Sequence, residues 1–309
     1  MDKITLIIPC YNEEEALPYT YKALLDIAGT MNYVEFEFLL VNNCSEDNTL
    51  NIMKKYSQED SRFRYISFSR NFGKEASMYA GLKHSTGDFT AIIDADLQDP
   101  PELLPQMYKS VKEEGFDCAA AYRKNRKGEP FFRSLFAEWF YKLMSRISDC
   151  NIMNGARDFR LMSRKVVDAI VSLEESERFS KGIFGWVGFK TKWIPFENIE
   201  RVAGKTKQGF TSAFTYAFRG IIAFSTKPLL ISSVLGVIVS FLAVLFTVFV
   251  VTKQIITGEA VPGYPSLVCI LLFGFGFTFS LLGIIGQYLA QIYLEIKSRP
   301  KYIISEKSE

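Results

Sequence analysis

Phe89-Thr90-Ala91-Ile92-Ile93-Asp94-Ala95-Asp96-Leu97-Gln98-Asp99-Pro100-Pro101 decides how this chain is read. Thr90 to Ile93 is short, apolar and rich in β-branched residues, the pattern of a buried strand. Two carboxylates one residue apart follow at its end. In extended backbone Asp94 and Asp96 project to the same side, where like charges repel unless a cation sits between them. Hard divalent ions such as Mg²⁺ or Mn²⁺ take oxygen ligands and share them with substrate phosphates. Pro100-Pro101 stops the strand, and Glu102 to Glu113 reads as a helix. The acidic pair therefore lies at the carboxyl end of a strand in an α/β pattern, where open parallel sheets bind ligands. The alternative is a surface loop with solvated acids, and the rest of the chain weighs between them.

Working outward, Ile4 to Pro9, Phe36 to Val41, Phe63 to Phe68 and Phe116 to Ala121 read as further strands. Helices alternate with them: one to about Ala28 with Asn12 as N-cap, Thr49 to Gln58, and one from Lys74 to about His84. Short connections between such elements imply a parallel, doubly wound sheet. The first, second and fourth strand ends then gather polar groups on one edge. Beyond them, Phe131 to Ile147 reads as an aromatic, basic helix that packs on the sheet or lies at a membrane interface. Asn154 to Leu161 reads as a glycine-led turn into a helix through Leu173, and Trp193 to Ile199 as an edge strand. Arg201 to Lys207 is a basic loop, and Phe210 to Phe224 an amphipathic helix with one charge, Arg219.

The composition then changes. No charged residue occurs from Pro228 to Thr252, nor from Pro265 to Leu294, and each stretch exceeds the ~20 residues that cross a bilayer. Gly274, Gly276, Gly283 and Gly286 permit close helix contact. Arg219 and Lys227 precede the first span, Lys297, Arg299 and Lys301 follow the second, and Lys253 is the only cation in the loop between. The positive-inside rule puts the catalytic domain and both termini in the cytoplasm. The expected organisation is a domain over 1–208, a juxtamembrane helix over 209–227, a two-helix transmembrane hairpin over 228–294 and a tail over 295–309.

Composition removes other classes. The net charge is +2, so no global field favours nucleic acid. Five scattered cysteines with no Cys-x-x-Cys pair argue against a zinc site or disulfide framework. The single histidine, His84, reads as structural and leaves no His-based triad. The apolar run after Met1-Asp2-Lys3 is too short for a signal peptide.

An α/β domain with Asp-x-Asp at a strand end, followed by two hairpinned spans, resembles the family 2 glycosyltransferases of the polyprenyl-phosphate type, which include dolichol-phosphate mannose synthases and bactoprenol glucosyltransferases. The carriers are Ile8-Pro9-Cys10-Tyr11-Asn12-Glu13-Glu14, Ser67-Phe68-Ser69-Arg70-Asn71-Phe72-Gly73-Lys74, Asp94-Ala95-Asp96-Leu97-Gln98-Asp99-Pro100-Pro101 and Asp158-Phe159-Arg160-Leu161-Met162-Ser163-Arg164. The resemblance implies a GT-A-type fold with a mostly parallel sheet. It implies inverting, metal-dependent transfer of a sugar from a nucleotide sugar, with a lean to UDP-glucose or UDP-N-acetylglucosamine, to undecaprenyl or another polyprenyl phosphate at the cytoplasmic face of the cell membrane.

The residue roles follow the same resemblance. Mg²⁺ or Mn²⁺ sits on Asp96, with Asp94 and Gln98 assisting. Pro9, Tyr11, Glu13, Asn43 and Lys74 line the nucleotide pocket with Asp94, Ala95 and Asp96. Asp158 is a base or an orienter of the acceptor, or else a helix N-cap. Arg123 and Arg133 hold the acceptor phosphate, since guanidinium suits phosphate; Arg201 and Lys207 assist or meet anionic lipid. The family usually carries Asp-Asp-Gly-Ser after the second strand, and Asn42-Asn43-Cys44-Ser45 departs from it. The Gln-x-x-Arg-Trp motif of processive relatives is absent, which implies a single transfer. The bacterial relatives also suggest a tetramer. Two other readings stay open at this point: a non-enzymatic membrane-tethered sensor or flippase subunit, and transfer to a non-lipid acceptor.

Overall fold

The computed structural model describes residues 1–124, 153, 155–197, 220–257 and 263–308. The chain divides into two compact units, Met1–Gly220 with Arg299–Glu309, and Ile221–Ser298.

In the first unit, β1 (Lys3–Cys10), β2 (Glu35–Asn42), β3 (Phe63–Phe68) and β4 (Phe89–Ile92) run parallel. Between them lie α1 (Leu17–Thr30), α2 (Thr49–Glu59) and α3 (Lys74–His84). A 3-10 turn, Pro101–Leu103, leads into α4 (Leu104–Lys112) and β5 (Cys118–Arg123). Then come β6 (Ala156–Ser163), α5 (Arg164–Ser172), α6 (Ser180–Trp186) and β7 (Thr191–Phe196), and at the chain's end β8 (Ile304–Lys307). The sheet order is β7-β5-β6-β4-β1-β2-β3-β8, with β6 and β8 antiparallel to their neighbours.

Burial on both faces explains the apolar strands. Ile4, Leu6 and Ile8 of β1 join a core with Leu24 of α1, Met53 of α2 and Met107 of α4. Ile7 faces the other way, and a Cβ on Gly81 of α3 would lie 2.2 Å from its Cγ2. Glycine at 81 is therefore what lets α3 seat on β1.

Three expectations are corrected. The first helix begins at Leu17, not after Asn12. Asn12 turns the chain at φ 52°, and its Oδ1 accepts the Glu46 amide at 2.8 Å, so it binds the β2 loop rather than capping a helix. The sheet is mostly parallel as expected, but the stretch expected to run from Asn154 into a helix is β6, a strand antiparallel to both its neighbours. Gly155, at φ +77°, reverses the chain against Arg123. The apolar residues from Phe159 to Met162 then fill the slot between β4 and β5, and the helix starts only at Arg164. The third concerns the tail: residues 304–307 form a strand that covers the edge of β3. The readings of 131–147 and 201–207 lie outside the described residues, as does all of the 210–224 helix before Gly220.

The second unit holds α7 (Lys227–Thr257) and α8 (Tyr264–Ile296), both long and apolar enough to cross a membrane. The Tyr288 hydroxyl donates to the Ser225 carbonyl at 2.6 Å.

Candidate active site at the strand ends

β4, β1 and β2 are neighbours in the sheet, and the polar loops at their carboxyl ends meet. From the β1 end, the Asn12 amide donates to Ser45 Oγ at 2.9 Å and the Glu13 amide to Thr49 Oγ1 at 2.8 Å. Pro9 pairs with Val41 across the ladder, and Tyr11 is half-buried just beyond β1. These bonds tie the β1 loop to the β2 loop before any ligand is present.

Asn42 ends β2 and Asn43 follows it, both buried. Asn43 Oδ1 accepts the amides of Phe72 at 2.8 Å and Gly73 at 3.2 Å, and its Nδ2 donates to Asn71 Oδ1 at 2.8 Å. Asn42 Nδ2 donates to Ser67 Oγ at 2.9 Å, and its Oδ1 accepts the Ser45 amide at 3.1 Å. A carboxylate at 43 could accept the same amides but has no N–H for Asn71. Asn43 thus holds the 69–73 loop, while Asn42 ties β2 to Ser67 of β3 and to Ser45. That loop ends at Gly73, φ +93°, a conformation glycine tolerates best, and so delivers Lys74 to the start of α3.

Lys74 bridges two of the predicted residues. Its Nζ lies 2.7 Å from Asp94 Oδ1 and 2.7 Å from Asp158 Oδ2. Arg157 continues the chain: its Nε donates to Asp99 Oδ1 at 2.6 Å, its Nη2 to Asp99 Oδ2 at 3.2 Å, and Nη2 lies 3.6 Å from Asp94. The result is an alternating row of Asp158, Lys74, Asp94, Arg157 and Asp99. Burial pushes the Asp158 carboxyl up, but Lys74 and then Lys181 outweigh it and hold it well below the usual carboxylate range. Burial likewise disfavours the Lys74 ammonium, and Asp158 and Asp94 overcome that and raise it.

Asp94 and Asp96 lie past the last residue of β4, in a turn. The turn closes through Leu97 at φ 53°, an unfavourable place for a bulky side chain and one often found at functional sites. Asp96 is buried, and its Oδ1 accepts the Gln98 amide at 3.1 Å. The Ala95 carbonyl accepts Thr20 Oγ1 of α1 at 2.5 Å. Among the described residues no group of three or more His, Cys, Asp or Glu is placed to hold a metal ion. Two hard oxygen donors on one turn fit a Mg²⁺- or Mn²⁺-type ion that completes its shell with substrate phosphate rather than a protein-only cage.

Asp158 is on β6, which removes the helix N-cap reading. Arg123 ends β5, its amide donating to Gly155 at 3.0 Å; Arg133 lies outside the described residues. Sequence reasoning missed Asp99 and Arg157 as site residues. Their one signal was position: Asp99 abuts Pro100-Pro101, and Arg157 precedes Asp158.

A family model described as glycosyl transferase family 2 matches residues 5–171, more than half of the chain. The chain belongs to glycosyl transferase family 2. It is 41% identical over 302 residues to a prophage bactoprenol glucosyl transferase homolog of Escherichia coli K12, covering 98% of each chain. It is 40% identical over 303 residues to the putative glycosyltransferase CsbB of Bacillus subtilis, covering 98% of this chain and 91% of that one. It is 39% identical to the bactoprenol glucosyl transferase of Shigella phage SfV, covering 99% of both. The structure of mannosyl-3-phosphoglycerate synthase from Rubrobacter xylanophilus aligns with a TM-score of 0.50 at 15% identity, over 71% of this chain and 72% of that one. That likeness shows the GT-A-like fold. The family 2 member is a glycosyltransferase, which sets aside the sensor and flippase-subunit readings.

Proposed function

We propose that this family 2 glycosyltransferase moves a sugar, with inversion, from a nucleotide sugar to the phosphate of undecaprenyl or another polyprenyl phosphate at the cytoplasmic face of the cell membrane. The observation that carries this is the chain's path. It leaves the first unit at Gly220, runs through two span-length apolar helices, and re-enters the same sheet as β8. Two crossings return the tail to the side it left, in agreement with the charge bias of Arg219, Lys227, Lys297, Arg299 and Lys301. A transferase so tethered works where a cytosolic donor meets a lipid acceptor. The bactoprenol glucosyl transferases that match end to end support the same acceptor.

In this reading Pro9, Tyr11, Glu13, Asn43 and Lys74 face the nucleotide, and the lean to a uridine donor carrying glucose or N-acetylglucosamine rests on family resemblance. Asp94 and Asp96, with Gln98 and the Ala95 backbone on the same turn, would hold the divalent ion. When bound, that ion neutralises charge building on the departing diphosphate. An acceptor phosphate oxygen bonds to the anomeric carbon, the bond to the diphosphate breaks, and its electron pair leaves with the nucleotide. The nucleophile is anionic at pH 7 and needs no strong base. That matches Asp158, whose carboxyl is held ionised by Lys74 and so orients rather than deprotonates. Arg123 and Arg133 take the acceptor phosphate. The glycines of α8 face open space and allow association into an oligomer such as a tetramer.

The test supplies labelled nucleotide sugar, Mg²⁺ and membranes bearing polyprenyl phosphate. Label is expected in the organic phase and lost in Asp96→Ala. Label that enters only water-soluble product would overturn the acceptor, and full activity in folded Asp96→Ala would overturn the metal assignment.

A further inference from the structure

Next to the ion-pair row, β6, α6 and β7 border a cavity of about 290 Å³. Arg160 and Lys181 bring cations to its wall, and Phe184, Phe189 and Trp193 bring rings. Arg160 is 3% exposed. Its guanidinium lies 3.6 Å from the centroid of Phe184, and its Nη2 donates to the Arg157 carbonyl at 3.1 Å. Its Nε is buried with no partner among the described residues, and no carboxylate there pairs with it. Two buried carboxylates in this unit show the contrast, Glu37 being paired with Arg64 and Asp99 with Arg157. A buried cation without an anion is a costly arrangement that a bound anion relieves. Burial pushes the Arg160 guanidinium down, and the nearby Asp158 only partly offsets it.

We infer that this cavity is an acceptor subsite for the phosphate monoester of an apolar alcohol, with Arg160 and Lys181 holding the phosphate and the rings of Phe184, Phe189 and Trp193 holding the first carbons. The inference rests on the proposed function and adds residues to it. Three observations place the acceptor here rather than the donor. The cavity is at the small end of ligand pockets, about 300–1,000 Å³, enough for a headgroup and a few carbons. Asp158, bound by Lys74 at 2.7 Å, lies two residues before Arg160 on β6, so the two share one side of that strand. Ala156 lines the cavity and pairs with Tyr122, which puts Arg123 one residue beyond that pair.

Full-length protein in detergent micelles is titrated with farnesyl phosphate, farnesol and inorganic phosphate, using wild type, Arg160→Lys and Lys181→Gln. Farnesyl phosphate should bind, inorganic phosphate should bind more weakly, and farnesol should not compete. Lys181→Gln removes a half-buried side chain and tests the site even if Arg160→Lys fails to fold. Each folded variant should weaken farnesyl phosphate about tenfold. The Michaelis constant for polyprenyl phosphate should rise by the same factor, while that for the nucleotide sugar stays within twofold. Equal binding of farnesol overturns the phosphate role, and equal binding of inorganic phosphate overturns the aromatic wall. Unchanged constants in a folded Lys181→Gln overturn the subsite. If wild type transfers no sugar to lipid yet the variants lose farnesyl phosphate, the subsite stands and the proposed function falls. If transfer occurs with unchanged constants, the reverse holds.

Discussion

The sheet carries a charged cluster at each end of the same three strands, and the two are built to opposite rules. At the amino ends of β1, β2 and β4, Glu37 is 3% exposed. It accepts Thr5 Oγ1 at 2.6 Å, Arg64 at 2.6 Å and the Thr86 amide at 3.1 Å. Burial pushes its carboxyl up, and these bonds together bring it below its ordinary value. Gly87, whose amide binds Thr5 Oγ1 at 2.9 Å, has no room for a Cβ against the backbone of Lys3, Thr5 and Phe89. This end is closed. At the carboxyl ends, Lys74 and Arg157 are shared among Asp94, Asp99 and Asp158. Each bonded cation is divided between two carboxylates, with Lys181 acting on Asp158 as well, on a turn strained at Leu97 and beside Asp96. Satisfied buried polar groups lock a fold; a cluster whose ions are shared keeps capacity for a ligand. Burial alone does not distinguish the two ends. The sharing of ions does.

The comparison breaks most visibly at Asp96. Asp96→Ala should lower kcat/KM for sugar transfer by about 10³-fold, ~4 kcal/mol of transition-state stabilisation, with the melting temperature nearly unchanged. Glu37→Leu should do the opposite. It strands Arg64 and the Thr86 amide, and destabilises by about 3 kcal/mol, the low end for a broken buried pair because Arg64 is 30% exposed. Activity per folded molecule should stay within twofold. Denaturant melts paired with initial rates check both, and a common loss of stability and rate in the two variants would erase the distinction.

The closed end was legible in outline and the open end only in part. Alternating apolar and β-branched runs located β1 to β4 within a residue or so, because both faces of these strands are buried. Asp94, Asp96 and Asp158 stood out as acids at element boundaries, and Lys74 as the base after a glycine. Their joining by Lys74 was invisible, since it depends on α3 and β6 meeting from either side of β4. β6 was misread because Gly155 looks the same before a helix or a strand, and only the slot between β4 and β5 chooses. Asn43 is legible as a residue lining the nucleotide pocket, but not its hold on Phe72, Gly73 and Asn71, a role set by a loop about thirty residues away in sequence. β8 gave no pattern at all, because four residues on a sheet edge follow their partner's register rather than their own periodicity.

That last strand links the two ends' logic to the tail. Tyr302 stacks on Phe68 at 5.1 Å, Phe68 meets Phe72 at 5.8 Å, and the Ser69 amide donates to the Ile303 carbonyl at 3.0 Å. The loop that delivers Lys74 is thus propped from the tail side as well as by Asn43. Tyr302→Ala should cost about 1 kcal/mol, the scale of an aromatic pair, and raise the Michaelis constant for the nucleotide sugar severalfold while kcat changes less. An unchanged Michaelis constant with the expected loss of stability would make the tail a sheet edge cover and nothing more.

The smallest effect comes from the same corner. His84 Nε2 lies 3.1 Å from the Tyr302 hydroxyl. Burial, with Lys307 of β8, Arg64 of β3 and Lys83 of α3, pushes its pKa below 6.5. The native state therefore binds fewer protons than the unfolded chain, and stability rises with pH where the two differ. Above about 6.5 His84 is neutral in both states and contributes no slope. As pH falls below that value the unfolded chain takes up the proton first, and the native state loses stability until its own depressed pKa is passed. His84→Gln keeps a group able to bond the Tyr302 hydroxyl but cannot titrate. The difference in melting temperature between wild type and His84→Gln should be flat from pH 8 to 7 and should swing in favour of the variant toward pH 5.5. Parallel curves across that range would mean that the imidazole is solvated, and that Tyr302 props the 69–73 loop without it.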